Sequence, residues 1–142
     1  MSREEGDKLL SALLPFAQQM LTKHGEFHPF GAFLNEKSEV ALLAAYDGNE
    51  HPPAKELIEM MIDAMRKDAP EKGYLGVGIC FDVLVTPPEK IAKTDAIQVA
   101  IEYADGEAVS VYIPYKKNWF GKVRYGEIFA SPGESRVFER SK

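Results

Sequence analysis

Residues 74–115 read YLGVGICFDVLVTPPEKIAKTDAIQVAIEYADGEAVSVYIPY. The period-2 alternation in this stretch predicts strands over residues 74–86, 96–104 and 107–115. Pro87-Pro88 stops the first, and the last two meet at Asp105-Gly106, a type I′ hairpin signal. Successive side chains leave a strand on opposite sides, so each strand sorts its residues into two sets. One set is apolar: Val77, Ile79 and Phe81, then Ile97, Val99 and Ile101, then Val109, Val111 and Ile113. The other is small or polar: Gly76, Gly78, Cys80 and Asp82, then Ala96, Gln98, Ala100 and Glu102, then Ser110 and Tyr112. The expected arrangement gathers the apolar sets on one face as a core and leaves the small and polar sets on the other.

Upstream of this stretch, residues 52–69 predict a helix. Pro52-Pro53 opens it, Pro70 and Gly73 end it, and Leu57, Ile58, Met61, Ile62 and Met65 form its apolar stripe. Before it, residues 27–34 and 39–46 predict a hairpin joined through Asn35-Glu36-Lys37-Ser38 and followed by a break at Asp47-Gly48-Asn49. A first helix over residues 2–23 carries Leu9, Leu10, Leu13, Leu14, Ala17, Met20 and Leu21 at helical spacing. Ser2 and Glu5 suit a capping box and Gly25 a C-terminal cap. Pro15 predicts a kink near Ala12–Leu14, or two short helices. Downstream, Asn118-Trp119-Phe120-Gly121 predicts a turn, residues 122–130 a last strand, and residues 131–142 a flexible tail with one apolar patch at Val137-Phe138.

The predicted order is α-β-β-α-β-β-β-β within one domain of 142 residues. It describes an α+β fold: a single, mostly antiparallel sheet of about six strands with two main helices. The order resembles profilin-like and longin-like layouts, in order of elements alone. By default both helices pack on one face. Gly76 and Gly78 point elsewhere, because paired glycines on one side of a strand invite a close neighbour. A helix, a ligand or a second subunit would each fill that place. The expected core is Leu13, Leu14, Leu57, Met61, Val77, Ile79, Phe81, Val99, Ile101, Val111 and Ile113.

Composition narrows the functional classes. Hydrophobic residues make up 45% and charged residues 27%, the balance of a soluble globular chain. Seventeen basic against 22 acidic side chains leave a net charge of −5. That charge opposes the basic footprint of a nucleic-acid binder. No apolar run reaches the roughly 20 residues of a membrane span, and the charged N-terminus does not read as a signal peptide. The lone Cys80 forms no internal disulfide, so a reducing, cytoplasmic setting is expected.

Few residues suggest chemistry. His24, Glu26 and His28 are spaced by two, and in extended backbone they would share a side where a metal or a proton relay could form. The plainer reading is a wet loop past a helix end, and His51 reads as a helix cap. Asp82 and Glu102 belong to the small and polar sets of neighbouring strands, where paired carboxylates would perturb each other; Tyr112 would join them. Their plainer reading is a solvated sheet face. Residues 73–78 lack the lysine and following helix of a phosphate loop, and Cys80 reads as a buried small hydrophobe. Trp119 and Phe120, preceded by Tyr115, Lys116 and Lys117, suit an interface anchor or a fold-back cap. No nucleophile, base and orienter occur together. The expectation is therefore a protein-interaction or self-associating module, a homodimer or partner of another protein. It binds no metal or cofactor, no nucleic acid and no membrane, and Tyr112, Tyr115, Trp119 and Phe120 are its binding residues. The alternative is a small ligand-binding domain or enzyme using the His24–His28 region or the Asp82/Glu102 face.

Overall fold

The computed structural model describes residues 3–44 and 53–138. Helix α1 (Arg3–His24) leads into strands β1 (Phe30–Leu34) and β2 (Val40–Ala44), then helix α2 (Ala54–Lys72). Five strands follow: β3 (Gly76–Val85), β4 (Thr94–Tyr103), β5 (Ala108–Lys117), β6 (Val123–Tyr125) and β7 (Phe129–Pro132). The α+β class and element order are those expected. The anticipated last strand is split in two. Ser2 of the capping box, the Asp47-Gly48-Asn49 break and His51 lie outside the described residues.

All pairings are antiparallel in one sheet of order β2-β1-β3-β4-β5-β6, with β7 on a separate part of β5. The three hairpin loops flanked by β1–β2, β4–β5 and β5–β6 share one backbone pattern. In each, the first residue bonds the fifth, and the fourth has positive φ: Ser38, Gly106 and Gly121. Asp105 therefore sits in a three-residue loop with a left-handed Gly106, not in a two-residue type I′ turn, which needs positive φ at both central residues.

Helix α1 is one continuous element despite Pro15. Leu9, Leu13, Ala17 and Leu21, four residues apart, are fully buried against the sheet. An internal proline costs about 3 kcal/mol, whereas each fully buried leucine contributes about 1.5–3 kcal/mol. Three leucines outweigh one proline, and Pro15 sits on the exposed side, where water meets the freed carbonyl. Helix α2 buries Leu57, Met61, Ile62, Met65 and Ala69, and continues past Pro70 to Lys72. Gly73, with φ of 66°, then caps it.

The helices lie on opposite faces. Phe30, Ala32 and Leu34 of β1 join the α1 core, while Phe33, between them, joins the α2 core. The register also corrects the expected sorting of strand faces. Val77 pairs with Glu102, Ile79 with Ala100, and Phe81 with Gln98, so the apolar set of β3 shares the α2 face with the small and polar set of β4. Gly78 pairs with Ile101 and Cys80 with Val99 on the α1 face. Apolar residues on one strand stand beside small or polar ones on the next, and each face keeps a mixed layer. The glycines admit α1: a Cβ on Gly76 would stand 3.3 Å from Leu9 Cδ1, and one on Gly78 only 2.6 Å from Leu13 Cδ1.

Residues 131–138, expected within a flexible tail, are packed. Phe129–Pro132 is β7, and Val137, buried, joins Met61, Ile62 and Ile79 in the α2 core with Phe138 at its margin. Residues 139–142 of that tail lie outside the described residues.

Candidate functional site

Helix α2 shields β1 and β3 but leaves β4 and β5 uncovered on its face. The C-terminal segment returns over this gap, and a cavity of about 320 Å³ remains beneath it. Ile58 and Ile62 of α2 form one wall; Val77, Ile79 and Phe81 of β3 continue it. Gln98, Ala100, Ser110 and Tyr112 make the floor, and Pro132, Gly133, Glu134 and Arg136 the opposite wall. Phe81 is half-buried here, not a sealed core residue as expected. The Gln98 amide donates to the Ser110 hydroxyl at 3.2 Å, and Tyr112 stacks on Phe129 with ring centroids 4.9 Å apart.

Glu102 closes one end. It is 6% exposed, and its Oε1 accepts three backbone N–H groups, from Arg136 at 2.7 Å, Val137 at 2.8 Å and Phe138 at 3.3 Å. The Ser135 hydroxyl lies 3.4 Å from the same oxygen and 3.1 Å from the Phe138 carbonyl, and its single proton serves one of the two at a time. Arg66 of α2 donates to the Arg136 carbonyl and holds the segment from the other side. The backbone N–H groups of Arg136, Val137 and Phe138 converge on one oxygen.

Asp82 does not join Glu102. It points to the α1 face, where its Oδ1 accepts the Tyr115 hydroxyl at 2.8 Å. Desolvation pushes the Asp82 carboxyl above its ordinary range, while the Tyr115 bond pulls it back. Tyr115 itself is buried and pushed up, first by desolvation and then by Asp82, so it presents no binding surface. Burial likewise pushes the Cys80 thiol up, with Asp82 adding to it, which suits an inert core residue.

The histidine set of the alternative reading does not assemble. His24 ends α1, Gly25 turns with φ of 74°, and His24, Glu26 and His28 are all exposed. Among the described residues no three His, Cys, Asp or Glu side chains form a metal-holding group. Nor is any described helix long and apolar enough to cross a membrane.

The aromatic turn stands out in solvent. Asn118 Oδ1 accepts the N–H of Phe120 and of Lys122, each at 2.9 Å. Asn35 braces the β1–β2 loop identically, accepting from Lys37 and Glu39. Trp119 and Phe120 occupy the central positions of this braced turn, 93% and 84% exposed, with ring centroids 5.5 Å apart. Of the basic residues nearby, Lys117 donates to the Gly25 carbonyl, while Lys116 and Arg124 stand directly opposite each other.

Sequence reading did not find the cavity, because its lining combines residues from both predicted faces and from the expected tail. The signal was present in Gln98, Ala100 and Ser110: three residues too small or polar to seal a core, next to strands that are otherwise apolar. Comparison with known proteins finds nothing similar: no family model, no curated protein and no solved structure matches the chain.

Proposed function

We propose that this protein is an interaction module that docks its Trp119–Phe120 hairpin into an apolar recess with an acidic rim on a protein partner. The observation that carries the reading is the exposure of two large aromatics on a turn braced by Asn118 and Gly121. The equivalent β1–β2 loop is made with Glu36 and Lys37 at the same positions, so the turn itself places no demand for aromatic side chains. Tryptophan is enriched among residues that dominate binding energy. Lys116 and Arg124 face each other across β5 and β6, and like charges so placed are destabilising. Acidic groups on a partner would relieve that repulsion and steer its approach.

A randomised peptide library tests this, selected on the immobilised protein with a Trp119→Ala/Phe120→Ala variant as counter-surface. Enrichment of peptides that place aliphatic residues between acidic ones, lost on the variant, supports the reading. Equal retention by both proteins overturns it, as does binding to anionic vesicles with no peptide enriched. Trp119 is the sole tryptophan, so a blue shift of its emission reports docking directly.

One observation favours a second copy of the chain as a further partner. Among the described residues, strand β2, Val-Ala-Leu-Leu-Ala, is an edge strand without charge or proline. The opposite edge carries Arg124 on β6 and Pro132 on β7. Unprotected edges pair readily with other strands. Antiparallel β2–β2 pairing would extend the sheet across a two-fold axis and leave a hairpin free at each far side.

A further inference from the structure

We infer that the cavity between α2, the β4–β5 floor and the returning C-terminal segment is a binding site for a small primary amine with an apolar body. Size sets the first limit. An apolar cavity of about 150 Å³ takes a benzene ring, so 320 Å³ holds one ring or a branched chain with a short arm. The walls supplied by Ile58, Ile62, Ile79 and Phe81 favour an apolar body.

Glu102 sets the polarity. Its Oε1 is saturated by the C-terminal backbone, whereas Oε2 takes no hydrogen bond among the described residues. No buried side-chain oxygen among the described residues lacks a partner, so Oε2 is not sealed; because Glu102 lines the cavity, we take Oε2 as the oxygen that faces it. A carboxylate oxygen at the end of an apolar-walled space is matched by a hydrogen-bond donor, best a charged one. Two carboxylates, Glu102 and Glu134, against the Arg136 guanidinium leave the lining one net negative charge, which selects an ammonium over a carboxylate. Gln98 and Ser110, bonded to each other, offer a further polar contact halfway along the floor.

The test is titration of the whole chain with 2-phenylethylamine, followed by calorimetry and amide shifts. Its N-acetyl derivative and 3-phenylpropionate serve as neutral and anionic counterparts. The amine is expected to bind with a Kd at or below about 1 mM, at least about tenfold tighter than either counterpart, and to shift the amides of Ala100, Ser110 and Gly133. Glu102→Gln, which keeps an acceptor for the C-terminal amides, should weaken amine binding about tenfold or more while leaving the neutral compound unaffected. Ile58→Trp, which fills the cavity from the half-exposed wall without touching Glu102, should abolish binding and serves if the Glu102 variant does not fold. Three outcomes overturn the inference. The amine and its acetyl derivative bind alike, no ligand shifts the cavity amides, or Ile58→Trp binds the amine as the wild type does.

Discussion

Glu102 Oε1 accepts the backbone N–H of Val137 at 2.8 Å, joining two residues 35 positions apart in the chain. The bond fixes the C-terminal segment over the part of the sheet that α2 leaves bare. A carboxylate that takes three backbone donors leaves all three unsatisfied when it is removed. Hydrogen bonds to charged groups contribute about 1.5–3 kcal/mol. Glu102→Ala should therefore lower the unfolding free energy by at least that much and speed hydrogen exchange at Arg136, Val137 and Phe138. Unchanged protection of those amides in the variant would show that apolar packing of Val137 alone holds the segment.

Gly78 and Leu13 form a second long-range lock. A Cβ at position 78 would lie 2.6 Å from Leu13 Cδ1, and Leu13 has no solvent side to retreat to. Overpacking of this kind costs about 1–3 kcal/mol. Gly78→Ala should show that loss in urea midpoints. Leu13→Ala alone should cost about 2–5 kcal/mol. Combined, the two should cost less than their sum, because the alanine methyl occupies part of the space vacated by leucine. Strict additivity would refute direct contact.

The same pair shows what the sequence could and could not reveal. Gly76 and Gly78 in a strand announced a close neighbour, and the periodicity of Leu9, Leu13 and Leu21 announced an apolar helix face; the two fit together. Alternation within β3, β4 and β5 fixed that each strand has two unlike sides. It did not fix which sides coincide, because that depends on register, and a shift of one residue exchanges the faces. Val77 opposite Glu102 is the consequence, and the separation of Asp82 from Glu102 follows from it. The cavity was hidden for the same reason. The Trp119–Phe120 turn was legible as a turn, and its exposure was left open by a sequence that suited either an anchor or a cap.

Self-pairing through β2 is expected to be concentration-dependent. Sedimentation equilibrium should show a mass rising from 15.8 kDa toward twice that value. Leu42 is 52% exposed, so Leu42→Lys should change stability by less than about 0.5 kcal/mol while placing like charges in the paired edge. That variant should remain at 15.8 kDa at every concentration. Trp119→Ala should leave the association intact, because its hairpin lies at the opposite edge of the sheet. A wild-type chain that stays at 15.8 kDa throughout removes the pairing. A dimer lost in Trp119→Ala moves the interface to the hairpin.

Asp82 and Tyr115 make a pH-dependent pair on the α1 face. Desolvation raises the Asp82 carboxyl above the ordinary aspartate value of about 3.9, and the Tyr115 hydroxyl, bonding the carboxylate, lowers it part of the way back. The folded chain thus holds this proton to higher pH than the unfolded chain does. Stability from this group is fully present below the unfolded value and is lost as pH rises through the folded one. Asp82→Asn keeps an acceptor for Tyr115 but carries no charge to desolvate. Its melting temperature relative to wild type should therefore climb as pH rises above the ordinary aspartate value of about 3.9. Tyr115→Phe removes the bond that favours the carboxylate, so the Asp82 carboxyl carbon should titrate at higher pH in that variant than in wild type. Titration at or below the ordinary value in the wild type, or a downward move in Tyr115→Phe, would mean that the hydrogen bond and not desolvation dominates at Asp82.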